Sequence, residues 1–376
     1  MKWVTAYGAS QCGNRMYRLN VAGRTFRTLV KLPFGGEKIR LILSSTYGGK
    51  LFVGAMSVKC GETICPVTLR GEASFVIGKN ERVLSDEIAL RVSDGDEIEI
   101  RTYFSKGVCM TGLWQTTTYS TIGNFTRGEF QASEENLWRS KKRPLDIGIP
   151  FPLVSGIDVY TPYEDAEAVA IFGASNEFIG RWVEPVRQMA AEKEPHLSLL
   201  NVSISGNRLL KDTGNKLLLG DLFGDGGLKR FSWDVLGYAG VKTMIVCVGA
   251  NDIHQPGTFA CYRWEKLPNA EAMKQGMLTL IGKAHQAGIR VIGTTITPLK
   301  NSVGCTKEKL ALRREVNEWI MTSGAFDDVF DLADALTTKE EPEALTEAFN
   351  SGDFLHFTAA GGLSIAEKFP VELLRG

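Results

Sequence analysis

This sequence lacks long apolar runs, a net charge and any cluster of histidines and cysteines. Among its 376 residues, no run approaches the roughly 18 apolar residues of a membrane-spanning helix. Lysine plus arginine and aspartate plus glutamate both number 43, so the formal net charge is zero. This balance gives no reason to expect binding to nucleic acid or to an anionic membrane. With 44% hydrophobic and 23% charged residues, the composition is that of a globular protein.

Cysteine and histidine are too few and too scattered to indicate a metal site or a disulfide framework. The seven cysteines are odd in number, and the closest pair, Cys60 and Cys65, flanks a predicted hairpin. These two could form a bridge, but thiols beside a turn are more often reduced. Together with an N-terminus that has no apolar signal region, this favours a cytoplasmic location. We expect no metal and no cofactor, because the four histidines have no ligand spacing.

The first part of the chain predicts an all-β domain over residues 1–138. Apolar and polar residues alternate with period two between residues 25 and 113, for example at Ile39, Leu41 and Leu43. Short runs separated by turns are typical of a sandwich or a barrel, and we expect a jelly-roll sandwich. Residues 139–166 then combine the basic run SKKRP with further prolines, which predicts a surface linker.

From residue 167 to the end, apolar strands alternate with amphipathic helices. The clearest helix is 308–321, where apolar residues share one face and Thr306 can cap the first turn. Such alternation indicates a mainly parallel sheet covered on both faces. We therefore predict a flavodoxin-like α/β domain, a three-layer αβα sandwich over residues 167–376. Its five strands are 168–172, 197–204, 244–248, 291–295 and 329–332.

The first of these strands ends on a sharp turn of small residues that carries Ser175. Gly173 and Ala174 follow the buried run directly, and an amphipathic segment begins soon after Ser175. The serine hydroxyl then lies at the carboxyl end of a strand, where open α/β sheets bind ligands. Its backbone N–H lies near a helix N-terminus, which stabilises developing negative charge. Taken alone, the turn is equally consistent with a serine that only caps a helix.

Three later segments reach the same edge of the sheet and supply the other groups that a nucleophilic serine needs. Gly206 and Asn251 follow the second and third strands, and Asp353 comes three residues before His356. His356 can take the proton of Ser175 while Asp353 holds its other ring nitrogen. The N–H groups of Ser175 and Gly206, with the side-chain amide of Asn251, would bind the oxyanion.

In this order, the motifs FGAS, ISGN, GAND and DFLH resemble the four blocks of the SGNH hydrolases, the GDSL-type esterase family. The resemblance covers roughly residues 167–374 and implies a serine esterase with Ser175, His356 and Asp353 as its triad. The first 160 residues look like the jelly-roll domain that precedes the hydrolase domain in one bacterial subgroup. Two positions depart from the family: Ala174 replaces its aspartate, and Phe357 replaces its proline.

The missing aspartate leaves the turn beside the nucleophile without a carboxylate. We expect the family's carboxylate to hold this turn through backbone hydrogen bonds, so another contact, such as one from Asn176, must replace it. Ala174→Asp is then expected to fit and to stabilise the turn modestly.

Two residues near the predicted site, His254 and Asp252, are interpreted more simply. His254 either lines the substrate pocket or is a solvated loop histidine, and Asp252 is expected to order its own loop.

The resemblance implies hydrolysis of short acyl esters, including those of acetylated sugars, through an acyl-enzyme. One alternative is acyl transfer, in which an alcohol replaces water at the same acyl-enzyme. A more distant alternative is a carbohydrate-binding protein whose hydrolase domain has lost catalysis. Because both Ser175 and His356 are present, an active enzyme is favoured. The expected partner is a small-molecule or carbohydrate ester, and the oligomeric state stays open.

Overall fold

The protein divides into two compact units, each with its own sheets. A computed structural model describes residues 1–13, 19–109, 111–112, 117–130, 153–213, 221–259 and 262–375. The first unit holds the described residues up to Glu167 together with residues 221–222, and the second unit holds the others. Among the described residues, no helix is both long and apolar enough to cross a membrane.

Antiparallel strands make up the first unit. One sheet has the strand order β1-β14-β5-β9, and a larger one has the order β13-β4-β10-β6-β7, with β8 also paired to β6. In β10, Ile98, Ile100 and Phe104 are buried, as the period of two predicts. The two sheets fit the predicted β-sandwich. The strands are β1 (Lys2–Gly8), β2 (Cys12–Gly13), β3 (Leu19–Asn20), β4 (Arg24–Lys31), β5 (Lys38–Ser44), β6 (Leu51–Cys60), β7 (Thr63–Pro66), β8 (Phe75–Ile77), β9 (Arg82–Leu84), β10 (Glu97–Lys106), β11 (Val108–Cys109), β12 (Thr111–Gly112), β13 (Thr117–Ile122) and β14 (Leu153–Thr161).

The two cysteines of the predicted hairpin lie on β6 and β7, which pair antiparallel. Cys60 pairs with Thr63, and Cys65 pairs with Val58, so the two cysteines are not directly opposite each other. Both are free thiols.

The linker predicted over residues 139–166 is wrong for its second half. Residues 139–152 lie outside the described residues, whereas Leu153–Thr161 forms β14 between β1 and β5. Eight of the nine residues of β14 are buried. The prolines at 152 and 162 suggested a linker, but they flank the strand and remove no hydrogen bond from its interior.

A five-stranded parallel sheet with connecting helices forms the second unit, as predicted. The strand order β16-β15-β17-β18-β19 corresponds to 2-1-3-4-5 within the unit, the flavodoxin-like order. Its strands are β15 (Glu167–Phe172), β16 (Leu197–Asn201), β17 (Val241–Val246), β18 (Arg290–Thr294) and β19 (Asp328–Phe330). The helices are α1 (Ser175–Phe178), α2 (Val183–Lys193), α3 (Gly227–Asp234), α4 (Ala250–His254), α5 (Ala270–Gln286), α6 (Lys307–Thr322) and α7 (Ala359–Lys368), with short 3₁₀ turns at Asp334–Leu336, Glu347–Phe349 and Val371–Leu374.

This strand order determines where the site lies. The chain runs from β15 outward to β16 and then returns across β15 to β17. Open α/β sheets bind ligands at such a switch point, outside the carboxyl ends of the strands. Here that point follows β15, immediately before Ser175.

A buried apolar core fixes the helices on which the site depends. Val169 and Ile171 of β15 pack in one cluster with Trp182 and with Ile365 of α7. Helix α6 begins as predicted, because the Thr306 side chain accepts a hydrogen bond from the N–H of its third residue. The core thus holds β15, which precedes the serine, and α7, which follows the histidine.

Candidate active site

Ser175 is the first residue of α1, and its hydroxyl contacts the predicted base. Ala174 occupies the N-cap position, so the serine side chain does not cap the helix. Instead, Ser175 Oγ lies 2.8 Å from His356 Nε2. The turn therefore presents a hydroxyl to an imidazole, the contact that a nucleophilic serine requires.

Asp353 holds the other side of the histidine ring. Its Oδ2 lies 2.5 Å from His356 Nδ1. Its Oδ1 accepts hydrogen bonds from the backbone N–H groups of Leu355, at 3.0 Å, and His356, at 2.8 Å. Desolvation alone would raise the pKa of Asp353, but these hydrogen bonds outweigh it and hold the pKa well below its usual range. The aspartate is therefore ionised and fixes the orientation of the imidazole.

The loop that carries His356 is anchored on both sides. Asn176 Nδ2 donates to the carbonyl of Leu355 at 3.3 Å, which joins this loop to the nucleophile turn. Phe357 is buried in the core, and its carbonyl accepts a hydrogen bond from Arg181. The phenylalanine that replaces the family's proline is thus a packing anchor next to the base.

A buried carboxylate that the sequence analysis missed holds the nucleophile turn. Glu177 is only 3% exposed, and its Oε2 accepts the N–H of Ala174 at 3.0 Å. Its Oε1 accepts the indole N–H of Trp182 at 3.3 Å. Burial raises the pKa of Glu177, whereas these two N–H donors favour its ionised form. The contact expected from Asn176 is therefore made by Glu177, three residues after the N-cap, as in one half of a capping box.

The two oxyanion candidates outside the nucleophile turn lie on loops that are tied together. Gly206 has φ +73°, and a β-carbon there would lie 2.4 Å from the Phe223 ring, so both conformation and space require glycine. Its carbonyl accepts a hydrogen bond from Gln255 Nε2 at 2.8 Å. Asn251 Nδ2 donates to the carbonyl of Asn207 at 3.0 Å, which leaves the second amide hydrogen for a ligand.

A small cavity with a volume of about 20 Å³ adjoins the serine. This volume is sufficient for roughly one water molecule. Over the described residues, its lining includes Ser175 and Asn251 but neither Gly206 nor His254. No group of three or more potential metal-ligating side chains occurs among the described residues. The lining residues are Ala174, Ser175, Asn176, Glu177, Cys247, Val248, Ala250, Asn251, Thr294, Thr295, Ile296, Thr297, Leu332 and Leu355.

Arg230 of α3 connects two of the four motifs, which no local sequence signal indicated. The side chain is 2% exposed and donates to the carbonyls of Val202, at 2.6 Å, and Gly173, at 3.2 Å. Its Nε donates to Asn207 Oδ1 at 2.8 Å. Asp234 balances its charge at 3.0 Å. One buried guanidinium thus fixes the strand end before Ser175 relative to the loop of Gly206.

Asp252 orders a neighbouring loop rather than mainly its own. Its carboxylate accepts the backbone N–H groups of Leu209, at 2.6 Å, and Leu210, at 2.9 Å. Burial raises its pKa to about 6, against the opposing effect of these donors. The expectation of a local hydrogen-bond pattern was incomplete because the partners lie more than 40 residues away in the chain.

His254 is a buried, hydrogen-bonded residue, so its interpretation as a solvated loop histidine is wrong, whereas a role in lining the substrate pocket stays a prediction. Only 3% of the residue is exposed, and Nε2 lies 3.0 Å from the carbonyl oxygen of Val303. Burial, followed by the nearby charge of Lys309, lowers its pKa to about 4. The side chain is therefore neutral near pH 7, and its hydrogen bond joins α4, which carries Asn251, to the loop of Val303.

The match to a family model agrees with the motifs. The model of the GDSL-like Lipase/Acylhydrolase family matches residues 172–362, slightly more than half of the chain. A GDSL-like lipase from Bacteroides thetaiotaomicron has 17% identity and a TM-score of 0.41, covering 57% of this chain and 90% of that chain. A variant of an acetyl xylan esterase from Geobacillus stearothermophilus has 17% identity and a TM-score of 0.40, covering 53% of this chain and 91% of its own. No curated protein matches the chain.

Proposed function

Because the chain belongs to the GDSL-like lipase/acylhydrolase family, we propose that it is a serine esterase that hydrolyses short acyl esters through Ser175, His356 and Asp353. Family membership establishes a hydrolase that acts on esters. The observation that carries the finer proposal is the continuous contact from Asp353 through His356 to Ser175, with distances of 2.5 and 2.8 Å. This arrangement favours a catalytically active hydrolase domain over one that has lost catalysis.

In the first half of the reaction, Ser175 Oγ attacks the ester carbonyl carbon. His356 Nε2 takes the hydroxyl proton as the carbon–oxygen bond forms. The ionised Asp353 stabilises the resulting imidazolium. His356 then gives the proton to the departing alcohol, and the ester bond to that alcohol breaks to leave an acyl-serine.

Charge on the tetrahedral oxygen requires donors that are in place before the reaction. The proposed donors are the N–H groups of Ser175 and Gly206 and the second amide hydrogen of Asn251. The contacts of Glu177, Arg230 and the Asn207 carbonyl support this assignment, because they fix the segments that carry these donors.

The second half repeats the chemistry with water. His356 removes a proton from water, whose oxygen attacks the acyl carbon, and then returns the proton to Ser175 Oγ as the acid leaves. The small volume of the adjoining cavity, about 20 Å³, supports short acyl groups such as acetyl. We include acetylated carbohydrates among the proposed substrates.

A fluorophosphonate probe combined with a panel of 4-nitrophenyl esters tests this function. We expect stoichiometric labelling of Ser175 and turnover that declines from acetyl to octanoyl. The Ser175→Ala variant should neither label nor turn over while keeping the wild-type melting temperature. If that variant labels at another serine and keeps wild-type turnover, the assignment is wrong. Adding a second alcohol and measuring ester product distinguishes acyl transfer from hydrolysis.

A further inference from the structure

A second cleft of the hydrolase domain lies beyond the carboxyl ends of β18 and β19. It has a volume of about 430 Å³, within the range of small-molecule sites. Its walls come from α6 and from residues 331–343. Thr295 lines both this cleft and the cavity beside Ser175, so the two spaces share one lining residue.

The cleft contains a buried arginine whose terminal nitrogens donate no hydrogen bond to a described residue. Arg313 is 3% exposed, and its Nε donates to the carbonyls of Ile296 and Thr297, both at 2.9 Å. Neither terminal nitrogen of Arg313 donates a hydrogen bond to any described residue or lies in an ion pair with one. Because only Nε of the guanidinium is used in this way, its two terminal nitrogens can donate hydrogen bonds to acceptor atoms of a ligand.

The carboxylates of the cleft also have acceptor positions that make no hydrogen bond to a described residue. Glu343 Oε1 is buried and lies 3.2 Å from Arg314 Nε, but it accepts no hydrogen bond with suitable geometry from a described residue. Asp331 uses Oδ1 for the Thr295 hydroxyl, at 2.7 Å, and for the N–H of Asp334, at 3.1 Å. Both Glu343 and Asp331 lie close enough to Arg313 to interact with its charge. Hydrogen-bond donors and acceptors are therefore interleaved along the cleft and do not form separate donor and acceptor sides.

This interleaving decides the chemistry of the ligand. An anion at Arg313 would be repelled by the two neighbouring carboxylates, and a cation at Glu343 by the two arginines. Hydroxyl groups both donate and accept, so a neutral polyol can pair with Arg313 and Glu343 together. We propose that this cleft binds the sugar part of the ester through Arg313 and Glu343. The proposal rests on the esterase function proposed above, and it assigns the position of the alcohol side of the substrate.

Kinetics on two esters that share an acyl group test the cleft. The substrates are a monoacetylated methyl glucoside and 4-nitrophenyl acetate, and the variants are Arg313→Lys and Glu343→Gln. We expect KM for the glucoside to rise about tenfold, the scale of one charge-assisted hydrogen bond. Both kcat and KM for 4-nitrophenyl acetate should stay within about twofold. If the glucoside KM does not change in either variant, or if it changes equally for both esters, the proposal is overturned.

Glu341→Gln is the matched control, because Glu341 pairs with Lys300 at 2.6 Å in the same segment but does not line the cleft. It loses an ion pair with a basic side chain, as Glu343→Gln does, and should leave both substrates unaffected. If Arg313→Lys loosens the loop of Ile296 and lowers the melting temperature, Glu343→Gln decides, because it leaves the bonds of Arg313 in place.

Direct binding separates failure of the cleft from failure of the enzyme. Saturation-transfer NMR with unacetylated methyl glucoside should show binding to the wild type and to Glu341→Gln, and weaker binding to Glu343→Gln. Absence of turnover with either ester would contradict the esterase function, while this measurement would still decide the cleft. Equal or absent glucoside binding in all variants overturns the inference. Binding of glycine instead of the glucoside would also overturn it, in favour of a zwitterionic ligand.

Discussion

The carboxylate of Glu177 occupies the space that a side chain on Gly173 would need. A β-carbon on Gly173 would lie 2.5 Å from Glu177 Oε2 and 2.6 Å from its Cγ. The backbone of Gly173 has no positive φ, so its conformation does not require glycine. Glycine at this position therefore follows from the buried glutamate that supports the nucleophile turn.

Gly173→Ala should consequently lower both the melting temperature and kcat, because the new methyl group displaces Glu177 from Ala174. In a Glu177→Ala background the same change should cost little, since the clashing group is gone. A double-mutant cycle on melting temperature and on kcat with 4-nitrophenyl acetate measures the coupling. We expect a coupling of about 0.5–3 kcal/mol, as for residues in direct contact. Strict additivity of the two changes would contradict the contact.

Asn251→Ala tests the side-chain donor of the oxyanion hole. We expect kcat to fall by about 10²–10³ with little change in KM, as for a donor that acts mainly in the transition state. Because Asn251 also donates to the Asn207 carbonyl, the melting temperature must be measured alongside. An effect confined to KM would instead make Asn251 a substrate-binding residue.

His254 should make the protein sensitive to acid between pH 6.5 and 4. Its pKa is about 4 in the folded protein, against about 6.5 when unfolded, so below pH 6.5 the unfolded state takes up the proton first. The stability from neutral His254 is thus complete above pH 6.5 and lost as the pH falls towards 4. The loss amounts to about 3 kcal/mol at most.

Urea unfolding at several pH values checks this expectation. His254→Gln, which keeps a donor for the Val303 carbonyl but has no proton to gain, should flatten the stability curve over that window. A wild-type curve that is already flat between pH 6.5 and 4 would show that His254 does not titrate as the burial implies.

Motifs at strand ends could be predicted from the sequence, whereas the contacts that support them could not. Ser175, Asn251 and His356 each follow a recognisable pattern, and the strand–helix alternation predicts which edge of the sheet they share. Glu177 left a weak local signal, a glutamate three residues after the N-cap. Arg230 left none, because its partners lie in segments that only the folded chain brings together.

The error at β14 has a different physical cause. The segment is rich in β-branched residues, but the surrounding prolines suggested an irregular linker. Proline disrupts a sheet only where a ladder hydrogen bond is lost, and at the edges of a strand none is lost. The local composition around residues 153–161 therefore led to a wrong prediction, although period-two alternation between residues 25 and 113 had indicated strands such as β5 and β10 of the same sheets.

For Ala174→Asp, the contacts around the nucleophile turn give a reason to expect the opposite of the effect predicted from the sequence. From the sequence, an aspartate here was expected to stabilise the turn. Ala174 is 5% exposed, however, and its N–H already donates to the buried carboxylate of Glu177. A second carboxyl group at this position would share a desolvated site with the first, where the two could ionise together only at a large cost in free energy, and both would compete for the same N–H donors. We therefore expect Ala174→Asp alone to lower both the melting temperature and kcat. The value of kcat should fall about tenfold for each 1.4 kcal/mol by which the distorted turn raises the activation free energy.

The double variant Ala174→Asp/Glu177→Gln gives this prediction its decisive test. Glutamine keeps the volume of Glu177 and removes its charge, so the aspartate becomes the single carboxylate of the turn and can accept the N–H groups of the first helical turn. We expect the double variant to recover most of the kcat and melting temperature that Ala174→Asp loses. Glu177→Gln alone should remain impaired, because its amide offers one acceptor oxygen to two N–H donors, those of Ala174 and Trp182. If Ala174→Asp is as active and as stable as the wild type, the two carboxylates do not compete. The turn would then be held by contacts other than those of the Glu177 carboxyl group.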